Sequence, residues 1–379
     1  MVPAKLYKLF TFLCNVQCLR IDVFRILIFL KSNIVKKCLL FIVAGFAITQ
    51  SSCRKELATI DLSTIPANST AEVTNTEFIS LATKISLSKT NTNYGALIST
   101  PADADPYSFV TGVAGQLGLS CIRDKAPVPG NKKVKTLSSS YNILLNFSSI
   151  AAMPMKFRTD ITAYKKDLES TISYLNTMPA VAIIENEESN KLYFSGTASD
   201  YIFQLKAAIT VMHAHGIPVT NGGITSAGLK YLVYQDYLNR GMTTQANDYK
   251  KRMKIAVNSP DTQERAGFIK ILLDNYAAMN LDYVNFHWRS SFPEDAQGLG
   301  ETINYLKRVT RKIVITTEIG QYDTSPQTLT STNQMCENYK LPFVIWYSSN
   351  DDLRSFPLQY ISQLLTNTGI AYQGFIASK

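Results

Sequence analysis

The chain has 379 residues, of which 46% are hydrophobic and 18% are charged. This composition fits a globular protein with a sizeable core and excludes a disordered or fibrous chain. The net charge of +9 is concentrated at the N-terminus, because residues 1–53 hold seven basic residues and one acidic residue, leaving only +3 for the remainder. A nucleic-acid-binding protein needs a dense basic face, so we expect no nucleic-acid partner.

The first 53 residues have the pattern of an export signal. A lysine pair precedes residues 38–49, an apolar stretch too short to span a bilayer, and two serines then lead to Cys53. The segment resembles a bacterial lipoprotein signal, which implies lipidation of Cys53; it departs at Gln50, where such signals usually carry an aliphatic residue. We expect an exported protein, lipid-anchored at the outer membrane, periplasm or cell surface. The alternative is an ordinary secretory signal with a chance cysteine.

Two further regions follow the export segment of residues 1–53. Residues 54–90 are rich in Ser, Thr, Asn and Ala with little periodicity, which suits a tether and lead-in. Over residues 91–379, short β-branched or apolar runs alternate with helical patterns, which predicts βα units and a parallel sheet. We therefore predict one catalytic domain after the tether, and we expect a monomer.

Eight strands and six helical stretches are predicted in this domain. The strands are Gly95–Ser99, Leu119–Arg123, Tyr141–Phe147, Ala180–Glu185, Pro218–Asn221, Asp282–His287, Ile313–Glu318 and Phe343–Tyr347. The helices are Asp160–Leu175, Ser199–His215, Glu264–Met279, Leu299–Val309, Pro326–Tyr339 and Pro357–Thr366. A long interval after the fifth strand holds residues 231–253, expected as an extra helical segment over the barrel mouth. Eight units predict an α/β fold, the (β/α)8 TIM barrel; an open doubly wound sheet, the competitor, seldom reaches eight.

The ends of the predicted strands carry the residues that suggest chemistry. In a TIM barrel, catalytic groups lie where strands end at the C-terminal face. Glu187 comes just after strand four, Glu318 ends strand seven and Trp346 lies near the end of strand eight. Two carboxylates at this rim suit glycosidic cleavage, in which one must donate a proton and the other must stay ionised. A tryptophan offers an apolar face on which a sugar ring can stack.

Taken together, these motifs resemble clan A of the glycoside hydrolases, the retaining TIM-barrel enzymes. The resemblance rests on Asn186-Glu187, Thr317-Glu318-Ile319-Gly320 and Trp346, and it covers residues 93–372. It implies that Glu187 is the acid/base and Glu318 the nucleophile. It also implies that Asn186 bonds the sugar 2-hydroxyl, that Trp346 lines the reacting subsite and that Arg123 keeps Glu318 ionised.

Strand six departs from the pattern of this clan. Its members often read His-x-Tyr there, with the tyrosine donating a hydrogen bond to the nucleophile, whereas this chain reads His287-Trp288-Arg289. His287 matches the histidine, and Arg289 stands where the tyrosine is expected. Another group, such as Tyr322 in the next loop, could then donate the hydrogen bond to the nucleophile.

The remaining polar residues are expected to be structural. The other glutamates beside Glu187, which are Glu185 and Glu188, are interpreted as solvated loop charges. His213 and His215 lie at the C-terminal end of a predicted helix, where the helix dipole favours a positive or polar side chain. The two cysteines after the signal, Cys121 and Cys336, are expected to be buried, and neither they nor the three histidines have metal-ligand spacing, so we expect no metal and no cofactor.

Two functions remain open on sequence grounds. The first is a retaining glycosidase that hydrolyses a polysaccharide or oligosaccharide outside the cytoplasmic membrane. The second is a carbohydrate-binding surface lipoprotein that keeps the barrel without efficient catalysis, which the strand-six departure at Arg289 motivates. Both have a carbohydrate ligand and contact the membrane through the lipid anchor.

Overall fold

The computed structural model describes residues 92–130, 140–149, 151–349 and 357–379. Its strands form a closed, all-parallel barrel in sequence order, each hydrogen-bonded to the next and the last to the first. The predicted (β/α)8 barrel is thereby confirmed. The strands are β1 Asn93–Ile98, β2 Cys121–Val128, β3 Asn142–Ser149, β4 Val181–Ile184, β5 Val219–Asn221, β6 Tyr283–Ser290, β7 Ile313–Gln321 and β8 Phe343–Ser348.

Helices surround the barrel, and polar side chains cap several of their N-termini. Asp105, Asp160, Ser259 and Thr366 each accept a hydrogen bond from the backbone N–H three residues ahead, and this fixes where the helix begins. The helices are α1 Pro106–Leu117, α2 Ile161–Ser173, α3 Ala198–Ala214, α4 Ser226–Asn239, α5 Thr243–Arg252, α6 Pro260–Ala278, α7 Asp295–Thr310, α8 Pro326–Asn338 and α9 Asn367–Ala377.

Two helix predictions were wrong. Residues 357–366 do not form a helix; Gln359 and Leu365 pair as an antiparallel bridge, and the last helix begins only after Thr366. Helices α4 and α5 do not cover the barrel mouth. They pack in the outer layer against α6 and α7, where Arg252 of α5 is ion-paired with Glu301 of α7.

Side chains alternate between the inside of the barrel and the helix layer, as expected for strands. The inner core is apolar and contains Cys121, Leu144, Val181, Ile183, Ile315, Phe343 and Ile345. Two residues further along three of the strands, the same inward face carries Arg123, Asn146 and Thr317. The inside of the barrel therefore changes from apolar to polar toward the C-terminal ends of the strands.

One irregularity in β7 sets the direction of Glu318. Phe286 pairs with Thr316, but the next residue of β6, His287, pairs with Glu318, so Thr317 is an extra residue in β7. If the same sequence formed a regular strand with no bulge, strict alternation would place Thr317 inward and Glu318 outward. The bulge therefore turns Glu318 toward the barrel mouth.

The N-terminal predictions lie outside the described residues. These are the export segment of residues 1–53, lipidation at Cys53 and the tether of residues 54–90, and all three stay predictions. Within the described residues, no helix is long and apolar enough to cross a membrane.

Candidate active site

The glutamate of β7 is buried among cations. Glu318 is 7% exposed, and its Oε1 accepts a hydrogen bond of 2.6 Å from Arg123 Nη1. Its Oε2 accepts a bond of 3.1 Å from Arg289 Nη2 and lies 3.6 Å from His287 Nδ1. Burial alone would raise the pKa of Glu318, but the charges of His287, Arg123 and Arg289 outweigh it and lower the pKa to about 2. Glu318 is therefore ionised over the whole physiological range.

The glutamate after β4 has a different environment. Glu187 lies in a loop with left-handed backbone (φ 49°), a conformation that a non-glycine residue adopts only where surrounding contacts hold it. Its Oε1 is 3.0 Å from His287 Nδ1, and its Oε2 accepts a bond of 2.7 Å from Asn190 Nδ2. The side chain is 18% exposed. Glu187 thus faces the cleft beside Glu318, and both carboxylates lie next to Nδ1 of His287.

His287 connects the two carboxylates, and its neighbours define which nitrogen carries the proton. Asn285 Nδ2 donates to Thr317 Oγ1 at 2.7 Å, so the hydroxyl proton of Thr317 is available to donate to His287 Nε2 at 3.2 Å. In the neutral ring Nδ1 is therefore the protonated nitrogen, which donates to Glu187; in the charged ring, which lowers the pKa of Glu318, Nε2 carries the second proton. The ring packs against Gly223, where an added Cβ would lie 2.2 Å from Nε2. A side chain at Gly223 would therefore displace His287.

The two carboxylates lie close together. Glu187, His287 and Glu318 each place one polar atom within 4.8 Å of the others. Such a triad has the composition of a metal site, but the two guanidinium groups of Arg123 and Arg289 occupy both oxygens of Glu318. Two fixed cations at this distance repel a metal ion and instead favour an ionised nucleophile or anion.

Asn186 is held by the same arginine that binds Glu318. Arg123 Nη2 donates to Asn186 Oδ1 at 2.7 Å while Nη1 binds Glu318. The amide oxygen of Asn186 is thereby used, and its Nδ2 group remains as a donor for a ligand. The structure thus brings together Arg123, Asn186, Glu187, His287 and Glu318, five of the residues that the sequence singled out.

Two other predicted site residues are not placed as expected. Trp346 points out of the barrel into the helix layer, where it is fully buried and lies 5.5 Å from Tyr372. Because Phe343 and Ile345 point inward, alternation brings Tyr347, not Trp346, to the cleft. Tyr322 lies at the cleft edge and is 51% exposed, and within the described residues the hydrogen bond expected from it to Glu318 is supplied by Arg289.

The interpretation of Glu185 and Glu188 as solvated charges was wrong, because both are 1% exposed. Glu185 accepts bonds from the backbone N and the hydroxyl of Ser149 and from Gln204 Nε2. Glu188 Oε1 accepts bonds from Asn221 and Tyr276. Burial raises the pKa of both carboxyls. These two residues fix the loop that carries Glu187.

The other structural expectations agree with the fold. His213 and His215 lie at the C-terminal end of α3 and contact Asp282 and Glu169. The two cysteines of the described region, Cys121 and Cys336, are buried and unpaired. None of these groups lines the cleft.

A cleft crosses the barrel mouth over the two glutamates. It consists of two adjoining cavities of about 320 and 380 Å³ that share Asn186, Tyr193 and Glu318. Tyr347 lines one cavity and lies 4.5 Å beneath the guanidinium group of Arg289. Sequence reasoning missed Tyr193 and Tyr347 as cleft residues. Tyr347 directly follows Trp346, and the sequence held no signal to distinguish them, because β8 is apolar on both faces.

Comparison with known proteins yields a match of fold. No family model and no curated protein matches the sequence. Among solved structures, an endo-β-1,3-glucanase of glycoside hydrolase family 128 from Sorangium cellulosum is 12% identical with a TM-score of 0.51, covering 74% of this chain and 97% of its own. A second endo-β-1,3-glucanase of that family, from Amycolatopsis mediterranei, is 13% identical with a TM-score of 0.48 over 75% and 99%.

A third neighbour is an oligosaccharide-binding protein of the same family from Trichoderma gamsii, 13% identical with a TM-score of 0.46 over 76% and 94%. At these identities the likeness concerns the fold alone. The chain has an eight-stranded parallel barrel of the kind that glycoside hydrolases use.

Proposed function

We propose that this protein is a retaining glycoside hydrolase. The observation that carries the proposal is the pair of glutamates at the barrel mouth, which both lie beside Nδ1 of His287 with a carboxylate oxygen of each within 4.8 Å of the other. Carboxyl groups about 5–5.5 Å apart are typical of retaining enzymes, whereas inverting enzymes need about 6.5–9.5 Å to admit a water molecule between sugar and base. The separation favours double displacement.

In the first step, Glu318 would act as the nucleophile. Its charge, held by Arg123 and Arg289, attacks the anomeric carbon while the bond to the leaving oxygen breaks. Glu187 in its acid form donates its proton to that oxygen. The product is a glycosyl ester on Glu318 and a released sugar alcohol.

In the second step, Glu187 would act as a base. It takes a proton from water, the water oxygen attacks the anomeric carbon, and the ester bond to Glu318 breaks. His287 donates from Nδ1 to Glu187 and lies 3.6 Å from Glu318, so it holds the acid/base carboxylate in place between the two steps. The anomeric configuration of the substrate is restored.

Binding contacts follow from the same geometry. The Nδ2 group of Asn186 is a donor for the 2-hydroxyl next to the anomeric carbon, a contact that strengthens as the ring flattens in the transition state. Tyr347 supplies an aromatic face in the cleft, the role that the sequence assigned to Trp346. We propose a β-1,3-glucan as the first substrate to test, since the Sorangium enzyme that shares the fold is an endo-β-1,3-glucanase.

The proposal also includes the cellular location. We propose that the enzyme acts outside the cytoplasmic membrane, attached through a lipid on Cys53. Incorporation of a labelled fatty acid into the wild-type chain and its absence from Cys53→Ser would support this anchor. Equal labelling of both chains, or of neither, would contradict it.

Product analysis with two variants tests the catalytic proposal. Wild-type protein is expected to release sugars with retained anomeric configuration, seen by NMR at early times, while Glu187→Gln and Glu318→Gln keep the fold and lose the activity. Glu169→Gln, which removes a carboxylate from the outside of α2, serves as the control and is expected to remain active. Full activity in either site variant would refute the assignment.

The second candidate is a carbohydrate-binding protein without efficient catalysis. The observation that favours it is Arg289, which stands where the related enzymes have a tyrosine and neutralises the nucleophile by an ion pair. Calorimetry distinguishes the two candidates. Oligosaccharide that binds to the wild-type protein and stays intact over a long incubation would establish the binding protein.

A further inference from the structure

A group of basic residues lies at the base of the barrel, the end opposite the cleft. It surrounds an open cavity at the start of β7 and β8 that is also bordered by Ile313 and Pro342. We call this group the basal patch; its members are Lys307, Arg308, Arg311, Lys312 and Lys340. No acidic residue borders the cavity within the described part of the chain.

Among the described residues, most of this positive charge is not paired with an acidic side chain. Arg308 is ion-paired with Asp236, whereas the hydrogen bonds of Lys307 and Lys312 within the described chain go to the backbone oxygens of Tyr339 and Met279. Burial lowers the pKa of Lys307, and the nearby charge of Lys340 lowers it further, which shows that the cations repel one another. Uncompensated cations at one site are unfavourable for folding, so this cluster needs a reason other than stability.

The dipoles of the helices do not account for the cluster. Two helices, α7 and α8, end at the basal patch, and a helix C-terminus favours cations. Helices α1, α2 and α6 end at the same face of the barrel, yet none has a basic residue in its last turn. Of the helices that end at this face in the described chain, α7 is the one with lysine or arginine in its last turn, so this charge is concentrated in the sector of β7 and β8.

The same sector is where the preceding chain enters the barrel. The backbone N and the Nδ2 of Asn93, the first residue of β1, both donate to the oxygen of Pro342, at 2.9 and 3.1 Å. Pro342 borders the basal patch. The residues that follow Cys53, 54–90, could extend to about 120 Å, so their length alone cannot orient the barrel.

We propose that the basal patch binds the anionic phospholipid surface of the membrane to which Cys53 is attached, so that the cleft faces away from the lipid. Arg308, Arg311 and Lys340 are exposed, and Ile313, 55% exposed among them, offers an apolar side chain to the interface. Each such cation strengthens binding to an anionic bilayer about fivefold. The proposal rests on the proposed anchor and not on the catalytic assignment.

Lysine labelling on vesicles tests this orientation. The full lipidated chain is reconstituted into vesicles of phosphatidylcholine, with or without about 30% phosphatidylglycerol, and treated with an amine-reactive reagent before mass spectrometry. The anionic vesicles should slow labelling of Lys340 by roughly fivefold or more. Labelling of Lys125, an exposed lysine on the cleft side, should be the same on both vesicles.

Two variants sharpen the test. Arg311→Glu should abolish the protection of Lys340, and so should salt at about 0.5 M. Lys206→Glu, the same charge reversal on the outer wall at α3, should preserve it. Both variants should cleave soluble oligosaccharide at the wild-type rate, if the catalytic proposal holds.

Equal labelling of Lys340 on the two kinds of vesicle would overturn the proposal. Protection of Lys340 that persists in Arg311→Glu would do the same. Absence of a lipid on Cys53 would also overturn the proposal, because the proposal depends on that anchor, but it would say nothing about catalysis. Loss of cleavage with normal protection would instead refute the catalytic assignment alone.

Discussion

At the end of β7 a single glutamate is surrounded by cations, whereas the loop after β4 contains three glutamates that bind no arginine or lysine among the described residues. Glu318 has guanidinium groups on both oxygens, which suits a carboxylate that must stay ionised. Glu187 bonds to an amide and an imidazole, which suits a group that must gain and release a proton. The neighbours of each glutamate thus suit it to a different proposed role, nucleophile for Glu318 and acid/base for Glu187.

The β4 loop also shows how a strained backbone is kept in place. Glu185 and Glu187 both have left-handed φ angles, 62° and 49°, and such residues cost of order 1–3 kcal/mol each. The buried carboxylates of Glu185 and Glu188 tie the loop to β3, α3, β5 and α6. These bonds offset the strain and hold Glu187 at the cleft.

The largest expected effect comes from removing the nucleophile. Glu318→Ala should lower kcat by on the order of 10⁴-fold or more on an activated aryl glycoside, and azide should restore part of the turnover by replacing the carboxylate. The glycosyl azide formed should have inverted configuration. Glu187→Ala should instead give a retained azide, and the reverse pattern would exchange the two roles.

Removing Arg123 should give the next largest effect. Arg123→Met leaves Glu318 with weaker compensation, so the pKa of Glu318 should rise from about 2 and kcat/KM at neutral pH should fall about 100-fold. The acidic limb of the pH profile should move to higher pH. A limb at the wild-type position would show that Arg123 does not control the ionisation of Glu318.

Arg123→Met should also lower the free energy of unfolding at neutral pH. Because folding lowers the pKa of Glu318, its ionisation stabilises the fold above about pH 4.5, and this contribution is lost as the pH falls toward 2. Arg123→Met should reduce the free energy of unfolding at pH 7 by up to about 3 kcal/mol. Urea denaturation at pH 7 and pH 3 measures the difference.

The buried glutamates of the β4 loop should respond unequally to amide replacement. Both oxygens of Glu185 accept hydrogen bonds, so Glu185→Gln places its amide donor against another donor and should cost about 2 kcal/mol. Glu188 Oε2 has no hydrogen-bond partner among the described residues, so Glu188→Gln should cost less than about 1 kcal/mol. Denaturation at pH 7 compares them, and equal losses would contradict this account.

The wild-type protein should also lose stability as the pH rises through the raised pKa values of these two carboxyls, since folding favours their protonated forms. Each Gln variant should show a smaller loss over that range. An unchanged pH dependence in both variants would mean that the two carboxyls do not titrate in the folded state.

The smallest expected effect is that of Tyr322→Phe. Its hydroxyl is at the cleft edge and Arg289 makes the bond to Glu318, so kcat/KM should change by less than about threefold. Arg289→Gln, its comparison, should lower kcat/KM about tenfold. A larger loss in Tyr322→Phe would show that Tyr322 reaches the nucleophile when substrate is bound.

The sequence predicted the barrel and the polar residues at its C-terminal end, because both depend on patterns within short stretches of the chain. Alternating strand and helix signals located all eight strands to within a few residues, and polar residues at strand ends marked Arg123, Glu187, His287 and Glu318. The facing of Trp346 could not be read, because β8 is apolar on both sides and shows no alternation. Its neighbour Tyr347 was therefore missed.

The rest depended on contacts between distant parts of the chain. Glu185 and Glu188 have ordinary loop sequences, and their burial follows from Ser149, Gln204 and Tyr276, which belong to other elements. Residues 357–366 have apolar spacing that suits a helix, yet Gln363 has a φ of 66° and Leu358 donates to the hydroxyl of Ser348. These tertiary bonds override the local preference.

The extra residue in β7 has a consequence for how such a site can evolve. Deleting the codon for Thr317 would restore strict alternation and leave Glu318 opposite His287 on the same inward face, while removing the hydroxyl that His287 Nε2 contacts. A lineage can therefore gain or lose a residue in this strand while Glu318 keeps its place at the cleft. Alignments that forbid gaps inside strands will pair Glu318 with the wrong residue of a relative that lacks the bulge.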